Sequence, residues 1–365
     1  MRPLVRFFLA VAVICAVPAM KAQQPKIVHA QLTTEAGSHG LSALIHNLTH
    51  QTNPQWVGYS LPVVTNFSSG WNERRVVYLE GDTNSNEKSE NNDNQTFDHA
   101  IILLRIAEGS VVNLRIENPN RELDAGGATF TWVDGVGQDD SVKFLADIAH
   151  QSQHKKVRDD AIFAISLHQG ITATKALADM TAASNELDVR EKAAFWLANQ
   201  RGHDGLIVIE RLAREDGDAR FREKLTFDLT LSKEPAALDD LIRMAHSDAS
   251  PQVRRQAQFW MANKGGKKVT DDLRQAVAND PEESVRKSAV FALSRLPEDE
   301  AATQLIAVAD TSKDAAVRKQ AIFWLAVERP EGAGLSDKTV EAMSCPGGDL
   351  VTDSHESRLL TDVEG

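Results

Sequence analysis

The decapeptide VRKQAIFWLA occupies residues 317–326, and nearly the same text stands at 253–262 (VRRQAQFWMA) and at 189–198 (VREKAAFWLA). These three copies are spaced 64 residues apart, and weaker copies begin midway, at Val157, Phe221 and Val285, so the underlying repeat is 32 residues long. Six copies at one spacing indicate a repeat architecture, in which every unit does the same structural job.

Two columns of one residue type mark the six units. The second position of each unit is arginine, and a phenylalanine follows five residues later. The arginines are Arg158, Arg190, Arg222, Arg254, Arg286 and Arg318, and the phenylalanines are Phe163, Phe195, Phe227, Phe259, Phe291 and Phe323. Because a cation in the first helical turn opposes the helix dipole, we expect the arginines to form a ladder between units. Its candidate acceptors are acids just upstream, such as Asp188, Asp218, Glu283 and Asp314, and the last carbonyl groups of the preceding helix.

Each unit contains two short apolar patterns, separated by a glycine or proline break. This arrangement predicts a pair of helices in every unit, with a lone second-type helix around 140–151 opening the stack. A single pair cannot bury its apolar stripe, so neighbouring pairs must stack. The pattern predicts an α-solenoid, and hence a mainly α protein.

The residue after each phenylalanine alternates between large and small. It is tryptophan at Trp196, Trp260 and Trp324, and alanine or aspartate at Ala164, Asp228 and Ala292. We predict that this position lies in the middle of the core stripe and that each indole packs over a small neighbour. This packing is favoured over an aromatic row that binds a ligand. Asp228 would then need a hydrogen bond, from the indole of Trp196 or Trp260.

The text DPEESVRKSAVFALSRLPEDEAATQLIAVA at 280–309 resembles the bacterial HEAT-like repeat, also called the phycobilisome-lyase-type HEAT repeat. The resemblance covers roughly 140–345 and implies a right-handed superhelix that serves as a platform for other proteins. It also implies that the second helices line the concave side, with a partner-binding stripe of Asp147, Asp179, Arg211, Arg243 and Gln275. The segments at 55–64 and 121–136 resemble uncharacterised exported HEAT-repeat proteins of Acidobacteria-like bacteria, a likeness that supplies no chemistry.

The two ends of the chain differ from the repeats. Residues 1–22 combine a basic start, a short apolar centre and small residues, which predicts a cleaved signal peptide and a periplasmic or secreted protein. No later segment is apolar enough to span a membrane, and 346–365 reads as an acidic, disordered tail. The net charge of −12 argues against a nucleic-acid partner. Cys15 leaves with the signal, so Cys345 cannot form an internal disulfide.

Residues 23–138 lack the repeat and predict a small β-rich or α+β domain before a solenoid at 139–345. Strand patterns lie at 74–81, 100–118 and 128–136, with a hairpin turn at Glu108-Gly109, and a helix pattern lies at 40–50. A polar loop at 81–95 is expected to be mobile.

Two weak metal patterns fall in this domain. His46 and His50 stand four residues apart on one helical face, which suits a metal. A calcium-loop pattern covers Asp82, Asn84, Asn86 and Asp93, but Glu87 replaces the glycine that such loops need. Ordinary surface residues explain both patterns better, so no metal or cofactor is predicted.

The sequence favours a non-enzymatic scaffold that binds a protein or peptide on its solenoid surface. Some HEAT-repeat proteins are enzymes, but this chain has neither a nucleophile elbow nor a phosphate loop, and no histidine column follows the repeat. Two alternatives stay open. One is a metal- or cofactor-dependent enzyme of the lyase or hydroxylase type, and the other is an N-terminal recognition module for which the solenoid is a spacer.

Overall fold

A computed structural model describes residues 24–67, 76–81 and 97–328 of the chain. Two compact units divide between Ala176 and Leu177, and they are named unit 1 and unit 2 here. The predicted signal peptide, the loop at 81–95 apart from Gly81, the tail at 346–365 and the calcium pattern (Asp82, Asn84, Asn86, Asp93) all lie outside the described residues.

Unit 1 contains two β-sheets. The larger has the strand order β2-β8-β3-β5-β6 and the smaller the order β1-β7-β4. The strands are β1 (Ile27–Val28), β2 (Gln31–Ala36), β3 (Gln55–Phe67), β4 (Val76–Tyr78), β5 (Phe97–Ala107), β6 (Ser110–Glu117), β7 (Glu122–Asp124) and β8 (Thr129–Asp134). The β-containing N-terminal region that the sequence predicts is therefore present.

The hairpin between β5 and β6 forms where it is predicted. Glu108 and Gly109 both have positive φ, 52° and 74°, which is the conformation of the tight turn that matches strand twist. The pairing places Ile101 opposite Glu117 and Leu104 opposite Leu114. β5 is an interior strand of its sheet, and its apolar run from Ala100 to Leu104 is buried.

The main core of unit 1 collects apolar side chains from both sheets. Its members are Trp56, Val77, Leu79, Ile101, Leu103, Leu123, Ala125, Phe130 and Trp132. The two tryptophans keep their polar atoms satisfied, since Trp56 Nε1 donates to Glu80 Oε1 at 2.8 Å and Trp132 Nε1 to Asp134 Oδ1 at 2.8 Å.

Helices α1 (Leu41–Thr49), α2 (Gln138–Gln151) and α3 (Lys155–Leu167) complete the larger part of unit 1. A buried chain of hydrogen bonds ties two of them to β3: the Tyr59 hydroxyl lies 2.9 Å from Ser141 Oγ, which lies 2.9 Å from His168 Nε2. Asp140 also accepts the backbone N–H of Leu41 at the start of α1. These contacts explain why the compact unit extends to Ala176, beyond the end of the β region at 138 on which the predicted domain boundary was based.

Unit 2 begins within α4 (Ile171–Met180) and continues as a stack of helix pairs. The first helix of each pair is called an A helix and the second a B helix. The A helices are α5 (Leu187–Gln200), α7 (Ala219–Leu231), α9 (Pro251–Gly265), α11 (Glu283–Ser294) and α13 (Ala315–Glu328), and the B helices are α6 (Gly202–Glu215), α8 (Ala236–Ser247), α10 (Thr270–Asn279) and α12 (Glu298–Thr311).

Consecutive A helices pack on one another, and each also contacts the B helices next to it in the chain. Val253, Ala257 and Met261 of α9 are fully buried, as their spacing predicts. Helix packing is closest at Gly205, where a Cβ atom would lie 2.0 Å from the carbonyl oxygen of Leu197. Among the described helices, none combines the length and hydropathy needed to cross a bilayer.

Candidate functional site

Arginine and aspartate side chains join consecutive helix pairs of unit 2. Arg222 of α7 binds both carboxylate oxygens of Asp248, at 2.8 and 2.9 Å, and Arg254 of α9 binds Asp280 in the same way, at 2.7 and 2.9 Å. Both aspartates are the residues that end B helices. The equivalent pairs at the neighbouring layers are Arg190 with Asp216 and Arg286 with Asp314.

The same guanidinium groups also bind the preceding B helix. Nη1 of Arg222 donates to the carbonyl oxygen of Asp216 at 2.6 Å, and Nη1 of Arg254 to that of Asp248 at 2.9 Å. The predicted ladder between units, with helix-end carbonyl groups as acceptors, is therefore confirmed. Each of these arginines holds the B helix before its own layer and the B helix after it.

The acids predicted to accept from the ladder are wrong in their pairing. Asp218 binds Arg220 and caps α7, and Asp314 binds the arginine of the preceding unit, Arg286, rather than Arg318. Long side chains on a helix point back toward its N-terminus. The guanidinium groups therefore pass the first turn of their own helix and reach the ends of the B helices.

Asp248 shows how the ladder holds its charge. Burial alone would raise its pKa, but the hydrogen bonds from Arg222 and from the backbone N–H of Ser250 outweigh burial and hold the pKa below its ordinary value. The side chain of Asp248 is only 4% exposed, and that of Arg222 is 11% exposed. The pair is thus a buried ion pair with several hydrogen bonds, the kind that is strongly destabilised when one partner is removed.

The phenylalanine and tryptophan columns do not lie in the middle of the core, which corrects the sequence prediction. Trp196, Trp260 and Trp324 are only partly buried, whereas Ala164, Asp228 and Ala292 are buried. An indole is too large for the space that alanine fills between neighbouring A helices, so its ring lies at the edge of the contact. Two rings follow one rule in their own layers: Trp260 contacts Phe227, and Trp324 contacts Phe291, in each case in the preceding unit.

The rule keeps the predicted alternation. Phe227 and Phe291 belong to the units whose next residues are the small Asp228 and Ala292, so each of these indoles packs on a unit with a small residue. The predicted hydrogen bond from Trp260 to Asp228 is absent, because within the described residues Trp260 Nε1 has no hydrogen-bond partner.

The predicted partner stripe lies on the surface. Asp147 is exposed on α2 in unit 1, Asp179 is exposed on α4, and Arg211 and Gln275 are exposed on α6 and α10. Arg243 of α8 is partly buried, and its Nε donates to Asp240 at 3.2 Å. Arg211, Arg243 and Gln275 thus occupy matching positions on three successive B helices.

Sequence reasoning missed a charged cluster on the same helices. Asp240 is 3% exposed and is bound by Arg214 Nη2 and by Arg243 Nε, both at 3.2 Å. Burial, and then the charge and hydrogen bond of Asp240, raise the pKa of Glu210. Glu210 and Asp240 come from different helices, so only a 30-residue spacing, close to the repeat, could have indicated their pairing.

A groove of about 730 Å³ follows α10 and α12. Polar side chains line it: Arg274, Gln275 and Asn279 from α10, Gln304 from α12, and Lys313 after α12. Its walls are completed by Asp271, Val277, Ala278, Arg286, Ala307, Val308, Thr311, Ser312 and Asp314. Of the predicted stripe, Gln275 is the residue that reaches this groove.

The histidine pattern of unit 1 is brought together. His46 Nε2 lies 3.2 Å from His50 Nε2, and the two rings meet edge to face. A cavity of about 480 Å³ contains His46, Asp147 and His154. In the described part of the chain, no three His, Cys, Asp or Glu side chains are placed to share a metal ion.

Comparison with known proteins identifies the repeats. A family model described as HEAT repeats matches residues 238–326. The matched range covers α9 to α12 and most of α8 and α13, the part of unit 2 that holds the ladder pairs from Arg254 onward. No curated protein sequence matches the chain.

Three solved structures are similar at low identity. Human deoxyhypusine hydroxylase in complex with glycerol is 16% identical, with 53% of this chain and 77% of that chain covered and a TM-score of 0.30. The complex of CpcE and CpcF of phycocyanin lyase from Nostoc sp. PCC7120 is 24% identical, covers 42% and 99%, and has a TM-score of 0.32. The karyopherin Kap121p bound to the extreme C-terminus of the protein phosphatase Cdc14p is 17% identical, covers 52% and 23%, and has a TM-score of 0.35.

The structure and the family match lead to one statement about the fold. The helix pairs, their 32-residue spacing and the match at 238–326 show a mainly α chain with a HEAT-like solenoid, preceded by a β-containing region. Residues 238–326 are HEAT repeats.

Proposed function

We propose that the chain is an exported, non-enzymatic scaffold that holds a segment of another protein along the B helices of unit 2. The observation that supports this proposal is the groove of about 730 Å³ beside α10 and α12. Solenoids present long surfaces built from equivalent positions of successive units, and such surfaces suit extended partners. The predicted stripe Asp179, Arg211, Arg243 and Gln275 leads along the B helices toward this groove.

The lining of the groove suits a peptide. The side-chain amides of Gln275, Asn279 and Gln304 each offer N–H donors and a carbonyl acceptor, the same groups that an extended backbone presents. Arg274 and Lys313 add positive charge for a carboxylate of the partner. Apolar side chains from both helices give the groove a contact surface for aliphatic groups.

The test begins with crosslinking and mass spectrometry in the native host, which identifies the partner. Its binding to the purified full-length chain is then measured. Arg274→Glu combined with Lys313→Glu should weaken binding by about tenfold or more, because both changes place a negative charge in the groove. Lys233→Glu, an exposed change in the α7–α8 loop, is the matched control. Equal affinity of the groove variant and the control would reject the groove as the binding site.

Arg211→Glu tests the stripe separately, because Arg211 is exposed. Arg243→Glu is less suitable, since it would place a third acid beside Asp240 and Glu210 and disturb folding. We expect Arg211→Glu to weaken binding of a partner that follows the stripe. An unchanged affinity would restrict the site to the groove itself.

Export is part of the proposal and is supported by the signal pattern at 1–22. The mass of the protein recovered from the periplasm or the medium should correspond to loss of about 20 residues. Full-length protein found in the cytoplasm would contradict export.

A second candidate places recognition in unit 1, and the cavity with His46, Asp147 and His154 favours it. Elemental analysis and an absorption spectrum of the purified full-length chain test for a metal or cofactor. If a stoichiometric metal is found, His46→Gln should remove it while leaving the unfolding midpoint unchanged. Retention of the metal by that variant would exclude this cavity.

A further inference from the structure

Six aromatic rings form a continuous row on the A helices of unit 2. Phe227 lies 5.0 Å from Trp260, which lies 4.8 Å from Phe259; Phe259 stacks on Phe291 at 5.9 Å with 9° between the planes. The row continues to Trp324 at 4.7 Å and ends at Phe323, 5.0 Å further. These six residues are called the aromatic row.

The row is partly open to solvent. Phe227 is 37% exposed, and the other five rings are partly buried. In both tryptophans the indole nitrogen is buried without a hydrogen-bond partner among the described residues, so the exposed part of each ring is carbon. A buried, unpaired N–H destabilises a fold. Stability alone therefore does not explain why apolar ring edges face solvent at these positions.

Positive charge flanks the row. Arg255, Lys287 and Lys319 each lie four residues before a phenylalanine of the row, on the same face of their helix. Lys319 is exposed, and Arg255 and Lys287 are partly exposed. Helix α9 has no acidic residue. By contrast, the B helix α12 has Glu298, Asp299, Glu300 and Asp310 and no basic residue.

We propose that the aromatic row and its flanking cations form a second docking surface, for an acidic segment of another protein that also carries leucine or phenylalanine side chains. Apolar side chains of the partner would cover the ring edges, and its carboxylates would face Lys287 and Lys319. Aromatic surface surrounded by complementary charge is typical of protein recognition sites. The surface lies on the A helices and so goes beyond the function proposed for the B-helix groove.

Charge complementarity selects this occupant. Phosphate-rich nucleic acid is disfavoured by the net charge of −12, whereas a peptide with spaced carboxylates meets the local positive charge without a long anionic backbone. Contact between partner and rings is apolar, because the indole N–H groups do not reach the surface.

The experiment uses the full-length chain and a fluorescein-labelled peptide of alternating glutamate with leucine or phenylalanine, followed by fluorescence anisotropy. Lys287→Glu combined with Lys319→Glu should weaken binding by about tenfold, and added salt should weaken it further. Arg274→Glu with Lys313→Glu carries the same change of charge in the B-helix groove and should bind the peptide like the unaltered chain. Circular dichroism and the unfolding midpoint confirm that both variants are folded.

Three outcomes overturn the proposal. They are equal binding by the Lys287→Glu, Lys319→Glu variant and the unaltered chain, equal loss in both double variants, and undiminished binding of a peptide in which glycine replaces leucine and phenylalanine. Binding to anionic phospholipid vesicles in preference to the peptide would also overturn it, in favour of a membrane surface. Failure here leaves the groove variants with their own partner assay, so the two proposals are judged separately.

Discussion

The carboxyl group of Asp228 is one of the least favourably placed charges of unit 2. It is 4% exposed in α7, at the position where other units have alanine or tryptophan. Burial, and then the nearby negative charge of Glu191, raise its pKa well above the ordinary value, while Lys224 acts in the opposite direction. The residue is therefore a site where stability depends on pH.

The sign of that dependence follows from proton binding. The unfolded chain releases the Asp228 proton near pH 3.9 and the folded chain at a higher pH, so the folded state binds more protons between these values and loses stability as pH rises. Asp228→Asn should remove this loss and stabilise the protein at pH 7 by about 1 kcal/mol or more. Urea unfolding from pH 4 to pH 8 measures the change.

Asp179→Asn is the control, because Asp179 is exposed on α4. It should leave the pH dependence as it is. A loss of stability at pH 7 on Asp228→Asn would show that the ionised carboxylate is favourably bound in the folded state.

At the scale of the element, the ladder is what connects one helix to the next. Asp248 ends α8, accepts the N–H of Ser250 before α9, and binds Arg222 of α7. One carboxylate thus fixes the position of three helices. An apolar contact would resist separation of those helices but would not set their register as closely.

Asp248→Asn should therefore destabilise the protein by about 3–5 kcal/mol, because it leaves Arg222 buried without its charge partner. The low pKa of Asp248 adds a sign: its contribution is present above the unfolded value of about 3.9 and is lost as pH falls through the folded value. Denaturant unfolding at pH 7 and at pH 4 should show a smaller difference between variant and parent at the lower pH.

Asp218→Asn provides the comparison. Asp218 is the upstream acid that the sequence favoured as a ladder partner, yet it caps α7, and asparagine caps a helix about as well as aspartate. We expect a change within about 0.5 kcal/mol. A loss as large as that of Asp248→Asn would mean that the ladder acts through the upstream acids.

The elements that the sequence predicts well are those set by local pattern. The 32-residue columns predict the helix pairs, and α2 (Gln138–Gln151) is the lone helix expected around 140–151. Strand β3 (Gln55–Phe67) was missed, because it is defined by pairing with β5 and β8, far away in the chain. The contact of Asp240 with Glu210 and the outward turn of Trp260 likewise depend on the spacing between helices, which no single helix pattern contains.

At the scale of the whole molecule, the alternation of large and small residues makes the true repeat 64 residues long. Trp260 and Trp324 each pack on the phenylalanine of a unit with a small residue, and two adjacent tryptophan units would place two indoles at one contact. Stability of such a stack depends on interfaces between neighbours as much as on the units themselves.

Two deletions test this dependence. Removing residues 221–252 takes out one repeat and joins the unit of Trp196 to that of Trp260, whereas removing 221–284 takes out two repeats and joins it to the unit of Ala292. The longer deletion should have the higher unfolding midpoint, although shorter solenoids are usually less stable. Thermal unfolding followed by circular dichroism gives the comparison, and a higher midpoint for the one-repeat deletion would contradict the role of alternation.

The arginine ladder also has a mechanical consequence. Arg222 and Arg254 each reach the B helices on both sides of their own layer, so a load pulling along the stack would be carried through guanidinium–carboxylate joints as well as through packed side chains. Such joints stretch and re-form without rearranging a helix, which gives the stack the elasticity of a spring, and ions that shield charge would soften it.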